Sequence, residues 1–484
     1  MSKKSAPTRR DFLGSACCAA VGLTGMVSTL ASLRATAAAA SIPSGSATPP
    51  RGAAVASDYK ALVCIFLNGG NDSSNLIIPN DTSGYADYVK ARTILALPQS
   101  NLLSITPKKS DGRSFALHPS TTELRTLFNS GKLALMANVG TLVHPTTKSQ
   151  YSTNAVPLPP QLFSHADQQV QWQSSVPDQP FKTGWGGRTA DLLNSLNTNA
   201  QVSMSMSLDS FNNFQVANTL SQLAVQRSSG ATSKGGPIAF SGSSGNTTAT
   251  TRFQAQKDLF TASHRNLFAS AFGTLTADAI GDSDLLTTAL AASPTLATTF
   301  PVTTLAKQLK TIAYLISISS TLNLKRQVFF ARISGWDTHA DQVDGNGAAA
   351  ITGAHADLLA QVSQAMNAFY NATVELGCAN QVTTFTASDF GRTFTSNGDG
   401  SDHGWGGHQM VLGGAVKGGD IYGKMPSPVV NGNDDTGFGR WIPTTSVDEY
   451  AATLATWFGV SATNLSTAFP NIGRFAKPNL GFLS

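Results

Sequence analysis

Six consecutive apolar residues, Leu62-Val63-Cys64-Ile65-Phe66-Leu67, stop abruptly at Asn68-Gly69-Gly70-Asn71-Asp72. A run of that length without polar alternation predicts a strand buried on both faces. The pattern recurs at 133–139 (stopped by Gly140), at 328–333 (stopped by Ser334-Gly335), at 382–387 and, more weakly, at 410–416. Between the third and fourth runs, Leu358, Leu359, Val362, Met366, Phe369 and Leu376 recur at mostly three- and four-residue spacing, with Gly377 as a stop. That spacing predicts an amphipathic helix, and a second helix is predicted over 120–128. Strand, helix, strand in this order is a βαβ unit, so the fold class is α/β, with a largely parallel sheet covered on both faces.

The middle of the chain breaks the rhythm. Residues 210–226 and 252–324 carry apolar residues at mixed spacing and read as mostly helical, around a Ser/Thr/Gly-rich stretch at 229–251 expected to be a mobile loop. We read 190–325 as a helical insertion on one sheet domain spanning 58–484, preceded by a Ser/Pro/Gly/Ala leader at 41–57. Met204 and Met206 alternate near Val202 and Leu208, which reads as a strand.

Composition sharpens this reading. The chain has 484 residues, 41% hydrophobic and only 13% charged, enough apolar surface for a large core. Its formal charge of +5 is concentrated at the start. Lys3, Lys4, Arg9, Arg10 and Arg34 against Asp11 give 1–40 a net +4, leaving +1 for the rest. Without a basic patch there is no electrostatic footprint for nucleic acid. Arg9-Arg10-Asp11-Phe12-Leu13, a moderately apolar stretch to Leu33 and a small-residue run from Ala35 to Ala40 predict a twin-arginine export signal. The alternative is a membrane-anchored N-terminus, against which Gly14, Gly22 and Gly25 interrupt the apolar stretch. The expected partner in export is the twin-arginine translocase, the expected location periplasmic or secreted, and no membrane span is expected after the signal. Cys17 and Cys18 lie in the signal. Cys64 and Cys378 sit in apolar surroundings and are expected as buried thiols.

In open α/β sheets, ligands bind beyond the carboxyl ends of the strands. The first run is followed by Asn71-Asp72, the third by Asp337-Thr338-His339, and the fourth by Ser388-Asp389 and then Asp402-His403 and His408. Of eight histidines, three fall in these loops. Asp and His are the ligands that zinc and other borderline or hard dications take. The candidate metal ligands are therefore Asp72, Asp337, His339, Asp389, Asp402, His403 and His408. Four also have a structural reading, Asp72 as a turn residue, Asp337 with His339 as a capping pair and Asp389 as a helix N-cap, whereas Asp402-His403 in its Gly-rich loop is least easily read as structural. Trp185, Trp336 and Trp405, each in a Gly-rich loop, either wall a pocket or fill core.

Several segments together resemble a known family. They are Asn68-Gly69-Gly70-Asn71-Asp72, Phe163-Ser164-His165, Gly184-Trp185-Gly186-Gly187-Arg188, Gly335-Trp336-Asp337-Thr338-His339, Ser388-Asp389-Phe390-Gly391-Arg392-Thr393 and Asp402-His403-Gly404. The sequence is similar to a twin-arginine-exported domain-of-unknown-function family, number 1501, which resembles the alkaline phosphatase and sulfatase superfamily. The resemblance runs from about residue 58 to the C-terminus, weakest in the insertion. It implies a three-layer α/β/α sandwich with a two-metal esterase site: Asp72 and Asp389 on one ion, Asp337 and His339 on the other, helped by His403 or His408. The sequence departs from that pattern at Phe390, where such phosphatases carry a His ligand, and in the short Asp-x-His spacing at 337–339. Either Asp402-His403 supplies the missing imidazole or one metal site is lost.

The superfamily also uses a nucleophile at a helix start. Ser164 is the candidate here, with Thr146 and Thr147 as runners-up and an N-cap as its structural alternative. Arg392 is the candidate anion clamp and Arg188 an alternative for it, unless either pairs with a structural carboxylate. Cys-x-Pro-x-Arg is absent and Ser-x-Pro-x-Arg occurs only at Ser5-Ala6-Pro7-Thr8-Arg9, inside the expected signal, which disfavours a formylglycine mechanism. The expected function is exported, metal-dependent hydrolysis of a small-molecule phosphate or sulfate ester. Zinc is the first choice of ion, before manganese, magnesium or calcium. The rival is a non-catalytic exported protein that keeps the fold for cell-envelope binding or assembly.

Overall fold

The computed structural model describes residues 55–484, apart from Ser110, Asn199, 239–246 and 263–265. The expected export signal and nearly all of the leader lie outside the described residues. In chain order the described strands are β1 (Lys60–Asn68), β2 (Ile77–Pro79), β3 (Leu103–Ile105), β4 (Phe115–Leu117), β5 (Leu133–Gly140), β6 (Ser205–Ser207), β7 (Leu223–Gln226) and β8 (Gly236–Pro237). The second half adds β9 (Arg326–Ser334), β10 (Val382–Ser388), β11 (Arg392–Ser396), β12 (Ser401–His403), β13 (Gly407–Gly413), β14 (Asp420–Tyr422) and β15 (Thr445–Ser446).

A mixed, mostly parallel sheet runs β14-β5-β13-β10-β1-β9-β6-β7-β8, with β15 paired to β5. Its centre is the parallel block β10-β1-β9-β6-β7. β13 runs antiparallel to both β10 and β5. The apolar run of β1 behaves as its pattern dictates, since every residue from Leu62 to Leu67 is buried. Helices Thr122–Asn129, Thr304–Ser317 and Ala354–Glu375 pack together in one layer; Trp185–Leu193, Val447–Phe458 and Leu465–Ala468 form another. Phe66 stacks on Phe330 at 6.1 Å inside the sheet block, and Trp185 packs on Phe385 at 5.4 Å. Burial of such side chains is what holds the layers, at about 1.5–3 kcal/mol each.

The middle of the chain differs from expectation. Residues 210–226 hold no helix: they turn and end in β7, and β6, β7 and β8 extend the main sheet beyond β9. Backbone pairing of its end, β7, with β6 and β8 supplies hydrogen bonds that this Ser/Asn-rich stretch lacks as a helix. Helices Thr247–Thr261, Leu267–Ala292 and Thr304–Ser317 do occupy the later part. Of 229–251, residues 239–246 lie outside the described residues. The fifth expected strand is displaced to Gly407–Gly413 and stops where Gly414 passes so close to Asn380 that a Cβ would sit 2.3 Å from its Oδ1. Cys64 and Cys378 are free, buried thiols, and burial pushes Cys378 up to about 12. Among the described residues no helix is long and apolar enough to cross a membrane.

Candidate functional site

Strands β10, β1 and β9 end in register, with Leu67 beside Ser388 and Asn68 beside Ser334. The three loops that follow therefore start at one level of one sheet edge. Gly69 allows two of them to touch: at φ +123° a Cβ there would lie 2.5 Å from the Asp337 nitrogen, so only glycine fits. The Ser388 hydroxyl ties the third, donating to the Leu67 carbonyl at 2.7 Å and accepting from Asn71 N–H at 2.9 Å. β11 then folds back on β12 as a hairpin that places Arg392 beside His403.

Four side chains meet above this edge. One Asp337 oxygen, Oδ1, lies 3.4 Å from His165 Nε2, 3.1 Å from His339 Nε2 and 3.3 Å from His403 Nε2. His339 and His403 face each other Nε2 to Nε2 at 2.8 Å. The ligand atoms of His165, Asp337 and His403 all fall within 4.8 Å of one another. Each imidazole is anchored through its other nitrogen to an acceptor: His165 Nδ1 to Asp389 Oδ2 at 2.6 Å, His339 Nδ1 to Asp402 Oδ1 at 3.1 Å, and His403 Nδ1 to the Phe163 carbonyl at 2.7 Å. An acceptor at Nδ1 puts the proton there and turns the Nε2 lone pair inward. Asp337 and His339 are nearly half exposed, so the cluster opens to solvent on one side.

The electrostatics follow from these contacts. The hydrogen bond to Asp389 raises the pKa of His165 against the opposing effect of burial. Burial lowers that of His403, with the Phe163 carbonyl opposing it. Desolvation works against ionised Asp337, yet the Arg392 hydrogen bond and charge hold its pKa below the ordinary value. Asp402 is likewise held low, by Asn397 and His339.

The structure redistributes the residues singled out in the sequence. Asp337, His339 and His403 come together. Asp402 and Asp389 stand one bond behind, as anchors for His339 and His165; Asp389 is fully buried and also accepts from Gly69 N–H and Gln169. Asp72 does not join them. It is buried in an ion pair with Arg92 and accepts from Gln342 at 2.6 Å. His408 is also apart: its Nδ1 accepts the Asn138 N–H at 3.0 Å, and burial lowers it to about 4.

Arg392 is no anion clamp. Its guanidinium is buried and donates to the carbonyls of Gly69 and Ser401 and to Asp337 at 2.9 Å, so it positions Asp337 instead. Arg188 is similarly committed to the carbonyls of Ala468, Thr183 and Ser174. Trp185, Trp336 and Trp405 are buried and fill core. Ser164 opens helix His165–Ser174 without capping an amide, and its hydroxyl donates to Asp167 at 2.5 Å. Thr147 caps helix Lys148–Thr153 in a capping box, while Thr146 donates to the His144 carbonyl.

Sequence reasoning missed His165 as a member of the cluster. The signal is present, since His165 closes the Phe163-Ser164-His165 segment beside the candidate nucleophile. Phe390 explains its own departure from pattern. Its ring lies 4.7 Å from both His165 and His403 and forms the apolar floor beneath them. The backbone at Phe163 takes φ +73°, a strained conformation for a bulky residue, at the point where its carbonyl anchors His403.

Residues 312–469 match the family described as "Protein of unknown function (DUF1501)". No curated protein matches the chain. Among solved structures, the chain is similar to Ps i-CgsB in complex with k-i-k-neocarrahexaose: 11% identity over 87% of this chain and 77% of that one, TM-score 0.33. It is also similar to the PsFucS1 sulfatase from Pseudoalteromonas sp.: 10% identity over 83% and 68% of the two chains, TM-score 0.35.

Proposed function

We propose that the protein, whose residues 312–469 match the DUF1501 family, is an exported, metal-dependent hydrolase of phosphate or sulfate esters. The observation that carries the reading is the meeting of three imidazole Nε2 atoms at one oxygen of Asp337. These residues fit a cation in three ways. His165 Nε2 is a buried nitrogen without a hydrogen-bond partner. The facing lone pairs of His339 and His403 at 2.8 Å repel unless a positive charge lies between them. A tetrahedral ion with bonds of about 2.0–2.1 Å has ligand–ligand edges of about 3.3 Å, close to the 2.8–3.4 Å of the three edges from Asp337 Oδ1 and of the His339–His403 edge. Three imidazoles and one carboxylate suit zinc best; magnesium and calcium take oxygen ligands, and manganese leans the same way.

His165, His339, His403 and Asp337 would hold the ion, which when bound supplies Lewis-acid polarisation of the ester. The chain does the rest. Asp389 and Asp402 fix ring orientation, Arg392 fixes Asp337, and Phe390 keeps water from the cluster's floor. Ser164 stands at the positive end of helix His165–Ser174 with its hydroxyl on Asp167. In this reading its Oγ attacks phosphorus or sulfur, Asp167 takes the hydroxyl proton and returns it to the departing alcohol, and water then hydrolyses the seryl ester. The Arg9-Arg10 segment supports export through the twin-arginine translocase to the periplasm or beyond.

The test is a screen of aryl phosphate, phosphodiester and sulfate esters with zinc, manganese, magnesium and calcium. Asp337→Asn is expected to lose both ion and turnover, and Ser164→Ala to keep the ion while turnover falls at least ~100-fold. Equal background rates in wild type and both variants would end the hydrolase reading.

A further inference from the structure

With Arg392 and Arg188 committed to backbone carbonyls, the cluster lacks the expected anion clamp. Another guanidinium stands at its rim. Arg440 follows the tight turn Gly437-Phe438-Gly439, in which all three residues have positive φ, at +128°, +60° and +71°. That turn is stitched to β11: Phe394 N–H donates to the Gly439 carbonyl at 3.1 Å and Thr395 N–H to the Phe438 carbonyl at 3.2 Å. Gly439 presses so closely that a Cβ would lie 2.2 Å from that of Phe394. The backbone bearing Arg440 is thus fixed relative to the strand that leads into the site.

The side chain is fixed as well. Arg440 Nε donates to the His403 carbonyl at 2.8 Å. Its guanidinium carbon lies 4.8 Å from the centre of the Phe163 ring and 5.4 Å from that of Phe438. Phe163 is the residue whose carbonyl anchors His403, so Arg440 shares two neighbours with the cluster. This contact also accounts for Phe438, an aromatic ring left 64% exposed. Rings on a guanidinium attract it and set its plane while leaving its edge free. Nη1 and Nη2 have no partner among the described residues, which leaves an oriented pair of donors beside the His403 backbone and the Phe163 ring.

We propose that Arg440 binds the anionic group of the substrate, a phosphate or sulfate, through a bidentate contact from Nη1 and Nη2; the proposal rests on the hydrolase reading above. Arg440 is then the residue that selects an oxyanion over a neutral ester, and the ion cluster acts on what it delivers.

The experiment is calorimetric titration of inorganic phosphate and, separately, sulfate into the zinc-loaded full-length protein, with zinc per chain measured in each variant. The wild type is expected to bind at least one of the two. Arg440→Gln is expected to weaken that affinity at least about tenfold with zinc per chain unchanged. Phe438→Ala, which keeps the Nε bond to His403, is expected to weaken it about two- to fivefold. Equal affinity in wild type and Arg440→Gln overturns the proposal, as does no affinity in zinc-loaded wild type. Loss of zinc from Arg440→Gln also overturns it, because the arginine then acts through His403. Phenylglyoxal labelling read by peptide mass adds an arm that needs no metal: phosphate or sulfate protects Arg440 while exposed Arg125 labels as before. Protection in a protein that takes up no zinc supports the clamp while removing the hydrolase reading, and absence of protection overturns the clamp.

Discussion

Replacing Asp389 by Asn tests how the cluster is tuned, because the change is nearly isosteric and removes one charge. Asp389 accepts three hydrogen bonds: from His165 Nδ1 at 2.6 Å, from Gln169 at 2.8 Å and from Gly69 N–H at 3.1 Å. An asparagine has one acceptor oxygen and must turn its NH2 toward at least one of these donors. The buried mismatch costs about 1–3 kcal/mol of stability. Loss of an anchor behind a metal-binding imidazole lowers ion affinity about 10–100-fold, equivalent to about 1.4–2.7 kcal/mol. The pH dependence separates this from general damage. Asp389 is the largest influence raising the pKa of His165, so protons compete with the ion up to a higher pH in the wild type than in the variant. Competition titration with a chromophoric zinc chelator from pH 5 to 8 should show weaker binding in Asp389→Asn and an inflection shifted to lower pH. Equal affinity with an unmoved inflection would refute the role given to Asp389.

Other consequences follow from the placement of neighbouring groups. Asp72→Ala leaves Arg92 buried without its carboxylate and should destabilise by about 3–5 kcal/mol, while zinc per folded chain stays constant; loss of zinc at unchanged denaturation midpoint would return Asp72 to the ligand set. Gln342 links Asp72 to Ser401 and Thr338 across the loops that carry the cluster, so Gln342→Ala should lower both urea stability, by about 1–3 kcal/mol, and zinc affinity. A loss of stability with zinc affinity unchanged would sink the link. Burial lowers His118 to about 3 and His355 and His408 to about 4, from an ordinary 6.5. The unfolded chain then binds protons that the folded one refuses, so stability present above pH 6.5 is lost as pH falls toward 4, at about 1.4 kcal/mol per pH unit for each histidine. His165, raised, contributes oppositely: its share is present below pH 6.5 and disappears as pH rises through its folded value. Urea unfolding of zinc-free protein between pH 7.5 and 4.5 measures the sum, and a flat profile contradicts the burial of neutral histidines.

The parts of this molecule legible in the sequence are those where local pattern and tertiary demand agree. The run 62–67 could only be a strand buried on both faces, and the 358–376 spacing only a helix over a sheet. Chain direction was not legible for Gly407–Gly413, because an apolar strand looks alike parallel or antiparallel. The polar strand Ser205–Ser207 was seen through Met204 and Met206, but its neighbour at 223–226 was lost among residues of mixed spacing. At the candidate site, the spacing of loops after strands pointed to the sheet edge where the Asp337 cluster lies. It could not say which carboxylates look outward. Asp72 and Asp389 both follow buried strands, four residues after β1 and one after β10, yet one turns to Arg92 and the other to His165. Arg392 and Arg440 are likewise both arginines near glycines in sequence, and only the packing shows that the first is enclosed by carbonyls and the second open at its edge. His165 was hidden because it arrives on a helix start rather than a strand end.

The central claim is that His165, His339, His403 and Asp337 together hold one cation. Diffraction at the zinc absorption edge from crystals grown with zinc tests it most directly. Bound zinc is expected to give an anomalous peak about 2.0–2.1 Å from the three Nε2 atoms and from Asp337 Oδ1, lost in His165→Ala. A peak beside Asp72 and His408 instead, or no peak among the four ligands, would contradict it.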